Sequence, residues 1–198
     1  SPPIELLSQD PKILETLIAL RTEKKIRSIG ISVRSPEEGL LAADFPFEAI
    51  QVNFNLTDQR ALENGFFQKC LEKKIGVIVR TPLSFGFLSG AVSSGETFTS
   101  SDHRNRFSPE QRARWTDAYP LFREAIGPSG SETPSQSALR FCLSFEAVST
   151  AIPGMLLESH VDENTRASGL AHLSLHQLKK LGDLYRSHFN EKIEVSKK

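Results

Sequence analysis

The chain has 198 residues, of which 38% are hydrophobic and 24% charged, a composition typical of a soluble globular protein and not of a disordered one. Its 24 basic and 24 acidic side chains leave no net field to attract nucleic acid or an anionic membrane. The sequence has no long apolar run and its first residues lack a secretory signal, which predicts a cytoplasmic protein. We therefore expect a small-molecule partner, no nucleic acid and no membrane.

The two cysteines, Cys70 and Cys142, stand far apart, and no further Cys or His lies near either of them at metal-ligand spacing. A zinc site and a disulfide framework are therefore both unexpected. Because cysteine is among the residues most often buried, we expect two reduced thiols in the interior. The sequence predicts no metal ligands.

Helix starts are marked along the chain by Ser or Thr followed, three residues on, by Glu or Gln. The side-chain oxygen caps free amides of the first turn, and Pro often fills the position where no amide hydrogen is needed. Asp10–Pro11 begins an earlier helix with apolar residues at helical spacing. The capping motifs are Ser35–Glu38, Ser108–Gln111, Thr133–Gln136 and Ser174–Gln177.

Four short runs rich in β-branched residues lie between the helices, at residues 29–33, 49–52, 77–79 and 148–152. Each is nearly continuously apolar, as buried parallel strands are. Single strands alternating with helices predict a parallel α/β sheet, either open and doubly wound or part of a barrel. No Gly-x-Gly-x-x-Gly turn is present, which disfavours the dinucleotide-binding open sheet. A (β/α)8 TIM barrel needs eight strands and about 250 residues, so four strands would make half of one.

Polar side chains stand within or at the ends of three of these strands, where barrels carry their active sites. Ser32 ends the first strand, and because Ser35 already caps the next helix, the Ser32 hydroxyl is available for a ligand. Gln51 lies in an otherwise apolar strand and needs a partner, which can equally be a neighbouring strand or a cofactor. Arg80 ends the third strand, where its charge must be paired or reach solvent.

Two further segments have the composition of phosphate-binding sites. The loop Thr81–Gly90 follows the third strand, and its glycines would let backbone amides approach a pyrophosphate closely. After the fourth strand, Ile152–Gly154 leads into a helix whose first turn could hold a phosphate by its amides and positive dipole end. Neither segment is specific on its own.

Taken in order, these segments resemble the cofactor-binding half of the aldo-keto reductases. The resemblance rests on Lys25–Ser32, Gln51–Asn53, Gly76–Leu83, Ile152–Gly154 and Glu163–Asn164. It covers essentially residues 1–190 and implies a (β/α)8 TIM-type barrel of which this chain supplies roughly strands 5 to 8, with residues 191–198 as a polar tail. It also implies hydride transfer between NADPH, or NADH, and an aldehyde or ketone.

The resemblance assigns a cofactor site as well. Ser32 and Gln51 match the residues that hold the nicotinamide carboxamide, although Val33 stands where the family usually has Asn. Arg80 replaces the aromatic ring that many members stack on the nicotinamide, and its planar guanidinium can stack in the same way. The remaining cofactor contacts are Pro82, Leu83, Phe85, Gly86 and Leu88 in the loop, and Gly154, His160, Glu163 and Asn164 after the last strand.

The adenosine end of this implied site is less basic than in many members. Members that prefer NADPH commonly carry Lys where Gly154 stands and Arg where His160 stands, so less charge is available here for a 2′-phosphate. Glu163 and Asn164 match the residues that touch adenine. The basic segment Asp102–Phe107 is either a solvated loop or a lid, since the resemblance places this stretch over the dinucleotide.

No catalytic residue is predicted. In the family the proton-donating Tyr and its Asp, Lys and His partners lie upstream of the residues that match this chain. Tyr119 and Tyr185 fit apolar stripes of helices, and no acid–base pair stands at a strand end. Three interpretations follow: a cofactor-binding half completed by a missing N-terminal half barrel, a catalytically inactive nicotinamide-binding module, and a structural half barrel that pairs with another half or self-associates.

Overall fold

The computed structural model describes residues 4–93, 95–127 and 130–190, so the tail predicted at 191–198 lies outside the described residues. The chain divides into two compact units that are interleaved along the sequence. The sheet unit contains residues 4–54, 60–80 and 145–152. The helical unit contains residues 55–59, 81–144 and 153–190, apart from the undescribed positions.

The sheet unit is built on four parallel strands that pair in the order of the sequence. The strands are β1 Gly30–Ser32, β2 Ala49–Asn53, β3 Gly76–Arg80 and β4 Val148–Ile152. The helices of this unit are α1 Glu5–Gln9, α2 Lys12–Thr22, α3 Pro36–Ala42, α4 Arg60–Glu63 and α5 Phe66–Lys73. All four predicted runs form strands, and the predicted parallel pairing is confirmed.

The strands differ from the prediction in how they are buried. Alternate residues of β2 and β3 are fully buried, namely Ile50, Val52, Val77 and Val79. The residues between them are only partly buried, and Ser149, Thr150 and Ile152 of β4 are exposed. The prediction of buried parallel strands therefore holds for alternate residues of β2 and β3 and not for the exposed residues of β4. The second face carries polar side chains such as Gln51 and Arg80, which cannot be buried without partners.

Three aromatic rings pack together in the sheet unit. Phe54 follows β2 and is fully buried. Its ring meets Phe67 of α5 at 4.7 Å and Phe145 at 5.3 Å between centroids, both in edge-on geometry. Such arrangements match the positive edge of one ring to the negative face of another. These three rings join the three sequence segments of the unit.

Both cysteines are buried and free, as predicted. Burial disfavours the thiolate and raises the pKa of Cys70 to about 12, and it raises the pKa of Cys142 as well. Both groups are therefore neutral thiols at physiological pH. Within the described ranges, no three His, Cys, Asp or Glu side chains are placed to hold a metal ion.

The described residues of the helical unit form five α-helices: α6 Pro109–Thr116, α7 Ala118–Ile126, α8 Pro134–Leu143, α9 Glu158–Arg166 and α10 Leu175–His188. Short 3-10 helices form at Ser84–Ser89, His103–Arg106 and Ala167–Gly169. The sequence predicted one helix from Ser108 onward, but α6 and α7 are separate. Pro120 has no amide hydrogen to donate to the carbonyl of Thr116, which removes a hydrogen bond at this junction.

The predicted helix caps are confirmed. Ser35 and Ser108 each accept a hydrogen bond from the backbone amide three residues later. Thr133 and Ser174 form complete capping boxes with Gln136 and Gln177. In the part of the chain that the structure describes, no helix is long and apolar enough to span a bilayer.

Candidate functional site

The polar side chains predicted at the strand ends lie together in the sheet unit. Ser32 ends β1 and is paired in register with Gln51 of β2. Gln51 Nε2 donates a hydrogen bond to Ser32 Oγ at 2.8 Å. Arg80 ends β3, and its guanidinium donates to the carbonyl oxygen of Val33 at 3.1 Å. Three adjacent strands thus bring a hydroxyl, an amide and a guanidinium to the carboxyl-terminal edge of the sheet.

The Ser32–Gln51 pair answers the question that the sequence left open about the partner of Gln51. That partner is a neighbouring strand, through the Ser32 hydroxyl. Since this hydroxyl accepts from Gln51, its own hydrogen is available to donate, and Gln51 Oε1 accepts no hydrogen bond from the described residues. The pair therefore offers one donor and one acceptor side by side. A carboxamide has the complementary groups.

The loop Thr81–Gly90 of the helical unit has an unusual backbone. Thr81, Ser84 and Phe85 have φ values of 58°, 47° and 58°, in the left-handed region that non-glycine residues seldom occupy. Gly86 continues this run with a φ of 91°, which a residue without Cβ adopts at low cost. The 3-10 helix Ser84–Ser89 is consequently kinked at Phe85 and Gly86.

The structure places the predicted loop contacts in different environments. Leu83, Phe85 and Gly86 are partly exposed, whereas Pro82 is buried and the side chain of Leu88 is fully buried in the interior. The amides of Gly86 and Leu88 both donate to the carbonyl oxygen of Leu83, at 2.9 and 3.1 Å. These two amides are therefore already used within the loop, so a phosphate would have to be bound by other groups.

The residues predicted after the last strand lie on or before α9. Gly154 is exposed, and a Cβ built on it meets no atom within 4 Å. His160 accepts a hydrogen bond at Nδ1 from the amide of Leu156, at 3.3 Å. Thr133 donates its hydroxyl to Glu163 Oε1 at 2.5 Å. Asn164 is 8% exposed, and its Oδ1 is buried with no hydrogen-bond partner in the described chain.

A cavity of about 550 Å³ lies beside these residues in the helical unit. Besides Glu163, its lining includes Thr133 and Gln136 from the start of α8, and Ser159, Asp162 and Arg166 from α9. None of these five residues was predicted to belong to a site. The sequence showed that the Thr133 hydroxyl caps α8. It could not show that the same hydroxyl also donates to Glu163, because the two residues are thirty positions apart.

The side chains of the basic segment Asp102–Phe107 contact one another and two nearby aromatic rings. Asp102 caps the 3-10 helix and pairs with Arg104 at 2.6 Å, and the hydrogen bonds from Arg104 hold the pKa of the Asp102 carboxyl well below its ordinary value. The Arg104 guanidinium lies 4.0 Å from the ring centroid of Phe98, and that of Arg106 lies 4.9 Å from that of Phe85. The segment is therefore held by hydrogen-bond, ion-pair and cation–π contacts.

No candidate for the catalytic acid emerges from the described residues. Tyr119 lies in α7, and Tyr185 lies in α10 with 2% of its surface exposed. Neither belongs to a strand. Both tyrosines lie in helices, the element type predicted for them from their apolar stripes.

A comparison with known families decides the broader assignment. Residues 6–186 match the aldo/keto reductase family. The chain belongs to this family. The match begins near the start of the described chain and runs through α9 into α10, so it supports the resemblance seen in the sequence as a whole.

Two curated aldo-keto reductases are similar in sequence. The aldo-keto reductase yakc of Schizosaccharomyces pombe, whose name specifies NADP(+), is 31% identical over 159 residues, which are 77% of this chain and 46% of that protein. A probable aldo-keto reductase of Glycine max is 30% identical over 148 residues, 73% of this chain and 42% of that protein. The chain thus spans less than half the length of these relatives.

Solved structures of family members share the fold. A glycerol dehydrogenase from Gluconobacter oxydans superposes with a TM-score of 0.74 at 22% identity, covering 92% of this chain and 56% of its own. The holo form of an aldo-keto reductase from Bacillus halodurans gives a TM-score of 0.63 at 21% identity, covering 93% and 57%. The predicted α/β fold of TIM-barrel type is confirmed by these similarities.

Proposed function

We propose that this chain forms the nicotinamide-binding part, roughly strands 5 to 8, of an aldo-keto reductase barrel that transfers hydride between NADPH and an aldehyde or ketone. The observation that carries the proposal is the Ser32–Gln51 pair beside Arg80 at the carboxyl-terminal edge of the sheet. Family membership supports the class of reaction, and the name of the fission yeast relative supports the cofactor. The cytoplasmic location stays a prediction.

The nicotinamide end would be held by the strand-end residues. When bound, the dinucleotide supplies the hydride, while the protein supplies position and electrostatics. The Ser32 hydroxyl can donate to the carboxamide oxygen, and Gln51 Oε1 can accept from the carboxamide amine. Arg80 can lay its planar guanidinium against a ring. The free donor and acceptor of the Ser32–Gln51 pair therefore fit this end of the cofactor.

The adenosine end would be held in the helical unit. The unpartnered Oδ1 of Asn164 is an acceptor without a donor, and the exocyclic amine of adenine is a donor of the required kind. Glu163 is kept in place by the Thr133 hydroxyl and, through its backbone carbonyl, by Gln136 Nε2 at 3.0 Å. An orphaned buried acceptor beside a fixed carboxylate is consistent with an adenine site.

The strand-end assignment predicts which side chains control affinity. Gln51→Ala and Arg80→Ala should each weaken NADPH binding by about 5- to 100-fold, because each removes a hydrogen-bonding group worth about 1–3 kcal/mol. Isothermal titration calorimetry measures the change. Gln68→Ala and Arg27→Ala remove the same side-chain types from exposed positions of the same unit and should leave affinity unchanged. Unchanged affinity in both strand-end variants, with the fold intact, would show that the site is misassigned.

The choice between NADPH and NADH depends on the charge near a 2′-phosphate. Among the described residues, the cavity is lined by the carboxylates of Asp162 and Glu163 and by one cation, Arg166. Gly154→Lys places a side chain in open space, so it should add charge without strain. We expect it to raise NADPH affinity about threefold to tenfold and leave NADH affinity nearly unchanged, an effect of about 1 kcal/mol for one partly exposed cation. Gly154→Gln is the uncharged control, and an equal gain with Gln would contradict the assignment.

The sheet has two open edges in the described chain, at β1 and β4. Unpaired backbone groups at such edges favour pairing with another strand. We propose that a missing N-terminal half barrel covers them, and that without it the chain self-associates or is poorly soluble. Sedimentation velocity at micromolar concentration should therefore detect dimers or larger species. Thr150→Lys, which puts a charge on the exposed part of β4, should shift the distribution toward monomer, and a compact wild-type monomer would contradict the prediction.

A catalytically inactive nicotinamide-binding module is the second candidate. It is favoured by the absence of a strand-end tyrosine among the described residues. The coding sequence upstream of residue 1 separates the two candidates. An Asp-x-x-x-x-Tyr motif followed by Lys and His in the same reading frame would support the enzyme, and an intact open reading frame without them would support the binding module.

A further inference from the structure

The segment Asn55–Gln59 forms a buried polar turn in the helical unit. Its polar residues Asn55, Thr57, Asp58 and Gln59 are each at most 3% exposed. The backbones of Asn55 and Asp58 donate to each other at 3.1 Å and close the turn. Gln59 Nε2 donates to the carbonyl oxygens of Leu56 and of Leu181 in α10. Polar groups are seldom buried in this number unless their hydrogen bonds have a structural or functional use.

This turn is bonded to the Thr81–Gly90 loop at two points. Asn55 Nδ2 donates to the carbonyl oxygen of Thr81 at 3.0 Å. Thr57 donates its hydroxyl hydrogen to Asn55 Oδ1 at 2.8 Å, so at its second contact, 3.0 Å from Ser84 Oγ, the Thr57 hydroxyl must accept. Ser84 is therefore the donor in that bond. Asn55 Oδ1 also accepts from the Thr57 amide at 2.9 Å, which fixes the orientation of the Asn55 side chain.

The two bonded positions of the loop are positions of backbone strain. Thr81 and Ser84 both have positive φ, and the β-branched side chain of Thr81 makes this conformation especially unfavourable. Strain of this kind persists only where the surroundings hold it, and it concentrates at ligand sites. The Asn55–Gln59 turn supplies the holding contacts at both positions. Without them, the loop would relax toward negative φ.

The conformation of the loop also sets the position of an aromatic ring. Phe85, which follows Ser84, packs with its ring centroid 5.0 Å from Phe107 and 5.9 Å from Trp115. The guanidinium of Arg106 lies against the same ring. Trp115 is the single tryptophan of the chain, so its fluorescence reports on the loop.

We propose that Asn55 and Thr57 are positioning residues, which hold the Thr81–Gly90 loop in the left-handed conformation that receives the cofactor. They act through Thr81 and Ser84 and do not contact the ligand themselves. The inference rests on the proposed function, because it is the dinucleotide that makes the strained loop useful.

The first test measures the backbone conformation of the loop and needs no ligand. Thr57→Val removes the hydroxyl that accepts from Ser84, and Thr57→Ser retains it. A positive φ brings the amide hydrogen close to the Cα hydrogen of the same residue, which gives a strong intraresidue NOE. We expect this signal at Ser84 and Phe85 in the wild type and in Thr57→Ser, and its loss in Thr57→Val together with a shift of Trp115 emission. If Thr57→Val does not fold, Ser84→Ala removes the other half of the same bond.

The second test is NADPH binding by calorimetry on the same proteins. Ser84→Ala should bind about tenfold more weakly than wild type, the change expected for one lost hydrogen bond between buried groups. Thr57→Val should bind at least as weakly, because it also removes the hydrogen bond to Asn55 Oδ1, and Thr57→Ser should retain wild-type affinity. In the double variant the loss should not exceed that of Thr57→Val alone, since Ser84→Ala removes a bond that Thr57→Val has already removed. The positioning role is overturned if the NOE persists in Thr57→Val and Ser84→Ala, or if it is lost while affinity is unchanged. If the wild type does not bind NADPH, the proposed function fails, and the NOE result still decides whether the turn holds the loop.

Discussion

The 198-residue chain should show no carbonyl reductase activity of its own. Aldehyde reduction needs a proton donor beside the carbonyl oxygen, and a positioned general acid contributes about 100- to 10,000-fold to the rate. Neither Tyr119 nor Tyr185 is placed at a strand end. We therefore expect NADPH oxidation with a panel of aldehydes to stay at least about 100-fold below that of a complete aldo-keto reductase.

The inactivity of the chain has to be separated from misfolding and from lack of cofactor. Calorimetry with NADPH on the same preparation makes this distinction, since binding without turnover is the expected combination. Addition of a purified N-terminal half barrel from a family member, bearing the catalytic Tyr, provides a gain-of-function control. Turnover by the chain alone within tenfold of a complete enzyme would overturn the prediction and would require an acid that we have not identified.

Phe54→Ala should destabilise the protein more than any other single truncation discussed above. The ring is fully buried and meets both Phe67 and Phe145, so its removal leaves a cavity that the flanking rings cannot fill. Phe-to-Ala changes in such positions cost about 3–5 kcal/mol of unfolding free energy. Urea denaturation followed by far-UV circular dichroism measures the loss.

Leu156→Ala is the matched surface control for this variant. Leu156 is 93% exposed, so its truncation should change the unfolding free energy by no more than about 0.5 kcal/mol. Phe54→Leu keeps part of the volume and should fall between the two. A loss below about 1 kcal/mol for Phe54→Ala would mean that the aromatic cluster is not a core of the sheet unit.

The fold was predictable because its signals are local. A capping Ser or Thr is recognisable within four residues, and the β-branched runs stand out against the helices around them. The Ser32–Gln51 pair was also within reach once the strands were taken as parallel neighbours, although the sequence could not decide between this bond and a ligand for Gln51. The break between α6 and α7 was missed, although Pro120, twelve residues after Ser108, is the local signal for it, because Pro in a helix interior removes a backbone hydrogen bond.

The parts of the site that escaped prediction depend on contacts between distant segments. Thr81, Ser84 and Phe85 are not residue types that predict a positive φ. The hydrogen bonds that link Thr81 to Asn55 and Ser84 to Thr57 join positions more than twenty residues apart in the sequence. The composition of the loop likewise does not reveal that the amides of Gly86 and Leu88 both donate to the Leu83 carbonyl oxygen. A loop of small residues therefore indicated where a phosphate site could form but not which of its groups remain free.

Because the two units are interleaved along the sequence, neither can be isolated by truncating or cleaving the chain. The chain leaves one unit for the other after residues 54, 59, 80, 144 and 152, so five peptide links join them within the described ranges. A protease that nicks any one loop would leave both units tethered, and no contiguous gene segment encodes either unit alone. Shortened versions of the chain that aim to isolate one unit would therefore remove strands or helices from both. Dissection of this protein has to proceed through side-chain substitutions instead of truncations.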